Sequence, residues 1–283
     1  MRGRIFILSA VLLWSLGGVL AKEIHLEGVS LAFWRSLIAG LVLLPCVPIR
    51  RWVFRPVMIP LGLSFAATMG FYLASVKATT AANAIFLQCT ATVWTIPISL
   101  AILRERPDRR AWPGVVLAMV GIALIVLQGR DGRPGEGRGI ALGLASGVGY
   151  AAIVVGLRGL RDLDPIWLSA FNNLACGLIL GAWLLASSRS IAVPEPHAWP
   201  ALVAFGVLQM AIPYALFARG VRDIKAPEAA LISLLEPVLN PIWVYLRHGE
   251  RPADATMIGG LLLMAGVAVR YLPWPTRKIT EVT

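Results

Sequence analysis

Apolar runs long enough to cross a bilayer recur ten times along this chain, where a helix needs about 17 to 25 residues to span roughly 30 Å of hydrocarbon. They cover residues 5–21, 30–47, 56–76, 81–103, 112–128, 139–157, 163–186, 198–218, 228–246 and 253–272. Lipid leaves backbone groups no water to bond, so such runs fold as helices. The expected fold class is therefore an all-α integral membrane protein of ten transmembrane helices. A water-soluble fold is excluded by the same pattern: 58% of residues are hydrophobic, 14% are charged, and the mean hydropathy is +0.75. The first run, with Arg2 and Arg4 before an apolar core, also has the look of a signal peptide, but nine further spans favour a retained helix.

The connections are short, and the longest polar one, QGRDGRPGEGR at 128–138, reads as a flexible tether. The net charge of +11 raises nucleic acid as a partner, but the distribution of basic residues points to membrane topology instead. With the amino terminus inside, inner segments carry 17 Lys and Arg against 8 in outer segments, and Arg35 lies within a span. Both termini are expected in the cytoplasm. Trp52, Trp112, Trp167, Trp199 and Trp274 fall at span ends, as headgroup-level anchors do. Cys46, Cys89 and Cys176 have neither disulfide nor metal-ligand spacing and are read as core residues; no metal or cofactor is expected. Lys22, Glu23 and Glu27 fall in a connection and are read as solvated.

The chain also repeats itself. A shift of 145 residues aligns RERP (104–107) with GERP (249–252), and then Gly114 with Gly259, Gly121 with Gly266 and Ala81 with Ala226. A shift of 137 aligns Leu37 with Leu174 and Gly40 with Gly177. Ten spans are thus read as two copies of five, residues 1–128 and 139–272, with a linker at 129–138 and a cytoplasmic tail at 273–283. Five is odd, so the second copy enters the bilayer in the opposite sense, an inverted repeat with a central cavity near the midplane between the halves. Gly139, Gly143 and Gly147, spaced four apart, suit close helix packing.

A tryptophan in the first span (LLWSLGG, 12–18), an aromatic-arginine pair in the second (FWRSLIAG, 33–40), the Glu-Arg-Pro ends and LLEP at 234–237 together resemble the EamA-type transporters of the drug/metabolite transporter superfamily. The resemblance covers the whole chain. It implies ten helices, cytoplasmic termini and a central cavity for a small metabolite, and it leaves the metabolite open. One departure is that the first copy has Ala91-Thr92 where the second has Glu236-Pro237.

Polar groups at membrane depth mark the candidate site. Glu236 lies near the middle of its span, where an ionisable group costs about 2.5 to 3.5 kcal/mol and faces a cavity or a partner. Ser233, Glu236, Asn240 and Trp243 share one helical face. The 145-residue shift maps Ser233 onto Gln88 and Asn240 onto Thr95, so a second stripe faces the first. Trp14, Arg35, Tyr72, Tyr150, Asn172, Asn173, Gln209 and Tyr214 complete the substrate-binding candidates. Pro97, Pro213, Pro237 and Pro241 are the candidate helix-breaking positions, each freeing the carbonyl four residues before it. Arg35 either receives a substrate carboxylate, snorkels to the headgroups, or pairs with Glu236 across roughly 10 Å. Lipid penalises a charged carboxylate, so Glu236 is also the candidate coupling residue, exchanging a proton for substrate.

These residues predict a secondary active transporter, exporter or exchanger, of small metabolites such as amino acids, working by alternating access as a monomer in the bacterial inner membrane. A passive facilitator is the alternative. A lipid-modifying membrane enzyme fits poorly, because His25, His197 and His248 stand apart in loops and neither an HExxH nor a paired-aspartate motif occurs. The absence of a phosphate-binding GxxxxGK[ST] loop argues against a primary pump. A structural scaffold would have apolar packing in place of the polar stripes.

Overall fold

The computed structural model describes residues 2–104, 112–128, 135–187 and 191–271. Among these all regular structure is helical, with no strand. The elements are α1 (Arg2–Ser15), α2 (Gly17–Glu23), α3 (Gly28–Leu43), α4 (Met58–Ala78), α5 (Ala81–Gln88), α6 (Ala91–Leu103), α7 (Trp112–Gln128), α8 (Glu136–Arg158), α9 (Pro165–Ala186), α10 (Trp199–Gly206), α11 (Ile212–Gly220), α12 (Ala226–Ser233), α13 (Leu235–His248) and α14 (Asp254–Tyr271). Eight helical units, several of them built from two pieces, are long and apolar enough to cross a membrane, and α7 and α14 are shorter apolar helices. Together they account for the ten runs. The expected linker falls partly outside the described residues, and its last three positions already belong to α8. The tail at 273–283 and Trp274 lie outside them as well.

Four spans are interrupted, and side-chain chemistry explains most of the breaks. In the first, the Ser15 hydroxyl bonds back to the Leu12 carbonyl at 2.7 Å, and the chain turns at Leu16. In the eighth, Pro213 has no N–H for the Gln209 carbonyl, and residues Val207–Ala211 widen into a π-turn. In the fourth, the Thr90 hydroxyl takes the Leu87 carbonyl at 2.6 Å and separates α5 from α6. In the ninth, Pro237 deprives the Ser233 carbonyl of its donor and α12 stops there. The helices run on through Pro97 and Pro241, so these two prolines do not mark the interruptions.

Positions 145 residues apart behave alike. Helices α5 and α12 begin at Ala81 and Ala226, the two breaks fall at Cys89 and Leu234, and α6 and α13 are both closed by a left-handed residue, Arg104 and Gly249. The contacts are reciprocal too. A methyl group on Gly121 would overlap the Gly259 carbonyl oxygen, and one on Gly266 would overlap that of Gly114. Likewise Gly40 abuts Leu174 and Gly177 abuts Leu37. Residue i meeting j in one direction and the equivalents of j and i meeting in the other is what a two-fold relation between copies produces.

Each end of the bundle is tied by polar contacts. At one end Lys22 pairs with Glu250 at 2.8 Å and Glu23 with Arg247 at 2.9 Å. Lys22 also donates to the Thr79 carbonyl at 3.0 Å. The reading of Lys22 and Glu23 as merely solvated is therefore wrong: their ion-pair partners lie more than 220 residues away, beyond what local spacing reveals. At the other end Arg4 pairs with Glu228, Arg51 with Asp164 and Arg55 with Asp162. Asp164 also caps α9, accepting from the Ile166 and Trp167 amides ahead of Pro165. Trp52 stacks on Trp167 at 5.3 Å, and each indole N–H bonds a backbone carbonyl, an anchored aromatic pair of the kind that suits a membrane interface. Cys46 is exposed and Cys89 half-buried, so of the three cysteines only Cys176 is a core residue.

Candidate functional site

The side chain that organises the interior is Arg35 on α3, only 2% exposed. It does not snorkel. Its Nη1 reaches the Gln209 Oε1 at 3.5 Å, its Nη2 contacts the Met69 sulfur at 2.9 Å, and the guanidinium lies 5.0 Å above the Phe205 ring. Neither an ion pair nor a hydrogen bond joins it to Glu236, so the expected static pair is absent. A guanidinium is always charged in proteins and carries five donors. Here its Nε has no partner, and among the described residues no carboxylate neutralises it. A buried charge left in that condition is costly.

Gln209 joins two breaks. It sits in the π-turn, where the widened backbone aims its amide at Arg35 on one side, while its Nε2 donates to the Trp14 carbonyl at 3.3 Å on the other. Trp14 is held edge-on by Tyr214 at 5.4 Å and tilted against Phe217 at 5.2 Å. The break in α1 is fixed in turn by Trp243, whose indole donates to the Ser15 hydroxyl at 3.0 Å.

Glu236 stands at the start of α13, half-buried, one turn before Asn240. Among the described residues nothing forms a hydrogen bond or ion pair with it. Tyr72 on α4 and Tyr214 on α11 are both within electrostatic reach of Glu236 and of Arg35. Cys89, at the break between α5 and α6, is also within electrostatic reach of Glu236. The two opposite charges thus share a pair of tyrosines within electrostatic reach, and neither a hydrogen bond nor an ion pair joins them directly.

Asn240 is fully buried against Gly18, where any larger residue would overlap its Oδ1, yet neither of its polar atoms has a partner. Asn172 and Asn173 on α9 lie one turn before Cys176, which is within electrostatic reach of Arg35, and each leaves its Oδ1 unpartnered. The contrast with Asn83 is informative. That buried amide donates to Thr79 and Glu136 and accepts from Thr256, so it is fully satisfied at the bundle's end. Most buried polar groups look like Asn83. Unfilled capacity is concentrated around Arg35 and Asn240.

Not every expected residue joins this set. The hydroxyls of Thr95 and Ser233 bond back to the Ala91 and Ala229 carbonyls at 2.6 and 2.9 Å, as midhelix hydroxyls often do, so the two stripes keep only their amides and the carboxylate. Gln88 ends α5, half-buried, beside the break. Tyr150 is 41% exposed on α8. Met69 and Phe205 were invisible to a search for polar residues, because both are apolar and meet Arg35 only through tertiary packing.

The sequence profile of the EamA-like transporter family matches residues 1–127 and 137–272. An uncharacterized transporter of Archaeoglobus fulgidus is 28% identical over 269 residues, covering 94% of each chain. The uncharacterized transporter YwfM of Bacillus subtilis is 24% identical, covering 95% of this chain and 94% of its own length. A solved crystal structure superposes with a TM-score of 0.69 over 95% of each chain at 18% identity, a likeness that speaks to the fold alone.

Proposed function

The chain belongs to the EamA-like transporter family, and from that premise we propose that it is a secondary active transporter, exporter or exchanger, whose cargo is a small zwitterion of the amino-acid class. The observation that carries this reading is the pair of unneutralised charges, Arg35 and Glu236, with Tyr72 and Tyr214 within reach of both. A carboxylate fills the vacant Nε and the remaining capacity of the guanidinium, in the bidentate geometry for which arginine is suited. An ammonium group pairs with Glu236. The amides of Asn172, Asn173 and Asn240 then serve the cargo's other polar groups.

The two halves are read as an inverted repeat, with both termini in the cytoplasm and the chain in a bacterial inner membrane. Alternate rocking of the halves opens the site to either side. The tie of Lys22 and Glu23 to Glu250 and Arg247 then closes the outer mouth. Coupling runs through Glu236, which takes up a proton when the ammonium leaves, so cargo and proton exchange at one carboxylate.

Two measurements test this reading. A thermal-shift screen of the detergent-purified protein against amino acids, nucleosides, sugars and cations is expected to give its largest rise with amino acids, because a ligand that binds only the folded state stabilises it. In vesicles, Glu236→Gln is expected to lose pH-driven accumulation and to keep counterflow only at raised amino-acid concentration, because the ammonium loses its countercharge; accumulation at the wild-type level would remove Glu236 as the proton site. Equilibration without accumulation by the wild type would make the protein a facilitator.

A further inference from the structure

Away from the Arg35 site, the bundle end that carries the ion pairs of Asp162 and Asp164 has an open cleft of about 780 Å³. Three segments far apart in sequence meet there: Arg50 and Arg51 after α3, Arg161 to Asp164 between α8 and α9, and Arg222 after α11. Its lining shares no residue with the interior polar set. Four arginines face two aspartates, and both aspartates are already engaged, Asp164 by Arg51 and the α9 amides and Asp162 by Arg55. Among the described residues the side chains of Arg50, Arg161 and Arg222 form neither a hydrogen bond nor an ion pair, so three guanidinium groups border the cleft without a bonded anion, Arg161 lying only within electrostatic reach of Asp162.

The rest of the lining is apolar. Leu157, Leu160, Leu163, Leu168 and Val221 form it beside Val53. The exposed side chains of Phe54 and Val57 continue from Val53 along the bundle's outer surface. The Trp52–Trp167 stack stands next to the cleft, with the Trp167 indole bonded to the Val53 carbonyl at 2.9 Å. Cationic groups, an apolar slope in the same lining and an interfacial tryptophan pair alongside match the profile of a phospholipid: phosphate, glycerol, acyl chain. A soluble phosphate would use the arginines and leave the slope idle.

We propose that this cleft is a site for an anionic phospholipid of the adjacent leaflet, with Arg50, Arg161 and Arg222 holding the headgroup phosphate and the accessible Leu157, Leu163 and Val221 carrying the first acyl carbons. Each basic residue at a membrane surface is worth about 1 kcal/mol, or about fivefold in affinity, so removing three lowers the affinity about 100-fold.

The test uses the purified full chain in a neutral detergent. Added phosphatidylglycerol is expected to raise the melting temperature by several degrees more than phosphatidylcholine. The triple variant Arg50→Gln/Arg161→Gln/Arg222→Gln is expected to lose that difference, Arg→Lys at the same three positions to keep part of it, and Arg138→Gln, at the opposite end, to keep all of it. Equal stabilisation by the two lipids overturns the proposal. So does a triple variant that melts lower yet responds fully to phosphatidylglycerol, since the arginines would then serve only the helix ends. Inorganic phosphate or glycerol 3-phosphate reproducing the full rise would replace the lipid by a soluble phosphate, and overturn it too.

Discussion

In the proposed alternating-access cycle, Glu250 is the residue on which closure of the mouth beside Lys22 turns. One of its carboxylate oxygens accepts the Ala81 amide at 2.8 Å, at the start of α5, and the other pairs with Lys22 at 2.8 Å. It thereby ties α2, α5 and the segment after α13 into one knot. The two charged side chains are 20% and 22% exposed, so their pairing is worth more than the 0 to 1 kcal/mol of a surface pair and less than the 3 to 5 kcal/mol lost when a fully buried pair is broken, about 2 kcal/mol. Glu250→Gln keeps an acceptor for Ala81 and removes this charge pairing. If the pairing exists only when the outer mouth is closed, the open population rises about 30-fold, since 1.4 kcal/mol is about tenfold. Glu250→Ala also strands the Ala81 amide, adding about 1 to 3 kcal/mol.

Cys89 reports the change without an introduced probe, because it is half-buried and within electrostatic reach of Glu236 while Cys176 is buried. In a Cys46→Ser background, a membrane-impermeant maleimide applied from the Lys22 side is expected to label Cys89 about 30-fold faster in Glu250→Gln and faster still in Glu250→Ala. Glu23→Gln breaks the more exposed pair with Arg247, and its effect is expected to stay within about fivefold. Labelling of all three variants within twofold of the parent refutes the assignment of this knot as a gate.

Two further predictions concern stability. Gly121→Val forces side-chain atoms into the Gly259 carbonyl, and a loss of about 1 to 3 kcal/mol is expected by thermal melting, whereas the same change at exposed Gly137, where space is open, is expected to cost less. Partial burial pushes the Asp164 carboxyl up, but Arg51 and the Ile166 and Trp167 amides outweigh this and hold it below the ordinary aspartate range. Its contribution is thus present above about pH 4, the unfolded value, and lost as pH falls below that through the lower folded value. Asp164→Ala is expected to cost about 1 kcal/mol at pH 7, and melting curves of the two proteins should converge toward pH 3.

Spacing and hydropathy were enough to read the ten helices, because lipid admits so few ways to satisfy a backbone. The glycines that suggested a duplication in the sequence, Gly114, Gly121, Gly259 and Gly266, lie at a close crossing of α7 and α14, where a side chain would overlap a backbone carbonyl. The interior site was half legible. Arg35, Gln209, Glu236 and Asn240 stand out as polar groups at membrane depth, and the interruption before Pro213 follows from its missing amide. What spacing could not give was direction. Thr95 and Ser233 share faces with Gln88 and Asn240, but their hydroxyls have a nearby backbone carbonyl and take it. Lys22 looked solvated because its partner comes from the far end of the chain, and Phe205 and Met69 became visible only once a guanidinium was found lying against them.

The central claim is that Arg35 is kept unneutralised in the interior for the cargo's carboxylate, and Arg35→Met tests it most directly. Methionine fills comparable volume and removes a buried charge that lacks a carboxylate, so the account predicts a variant that melts no lower than the wild type while counterflow of labelled amino acid in proteoliposomes falls to background. A variant that melts lower and still exchanges the amino acid at the wild-type rate would make Arg35 a structural residue and contradict the account.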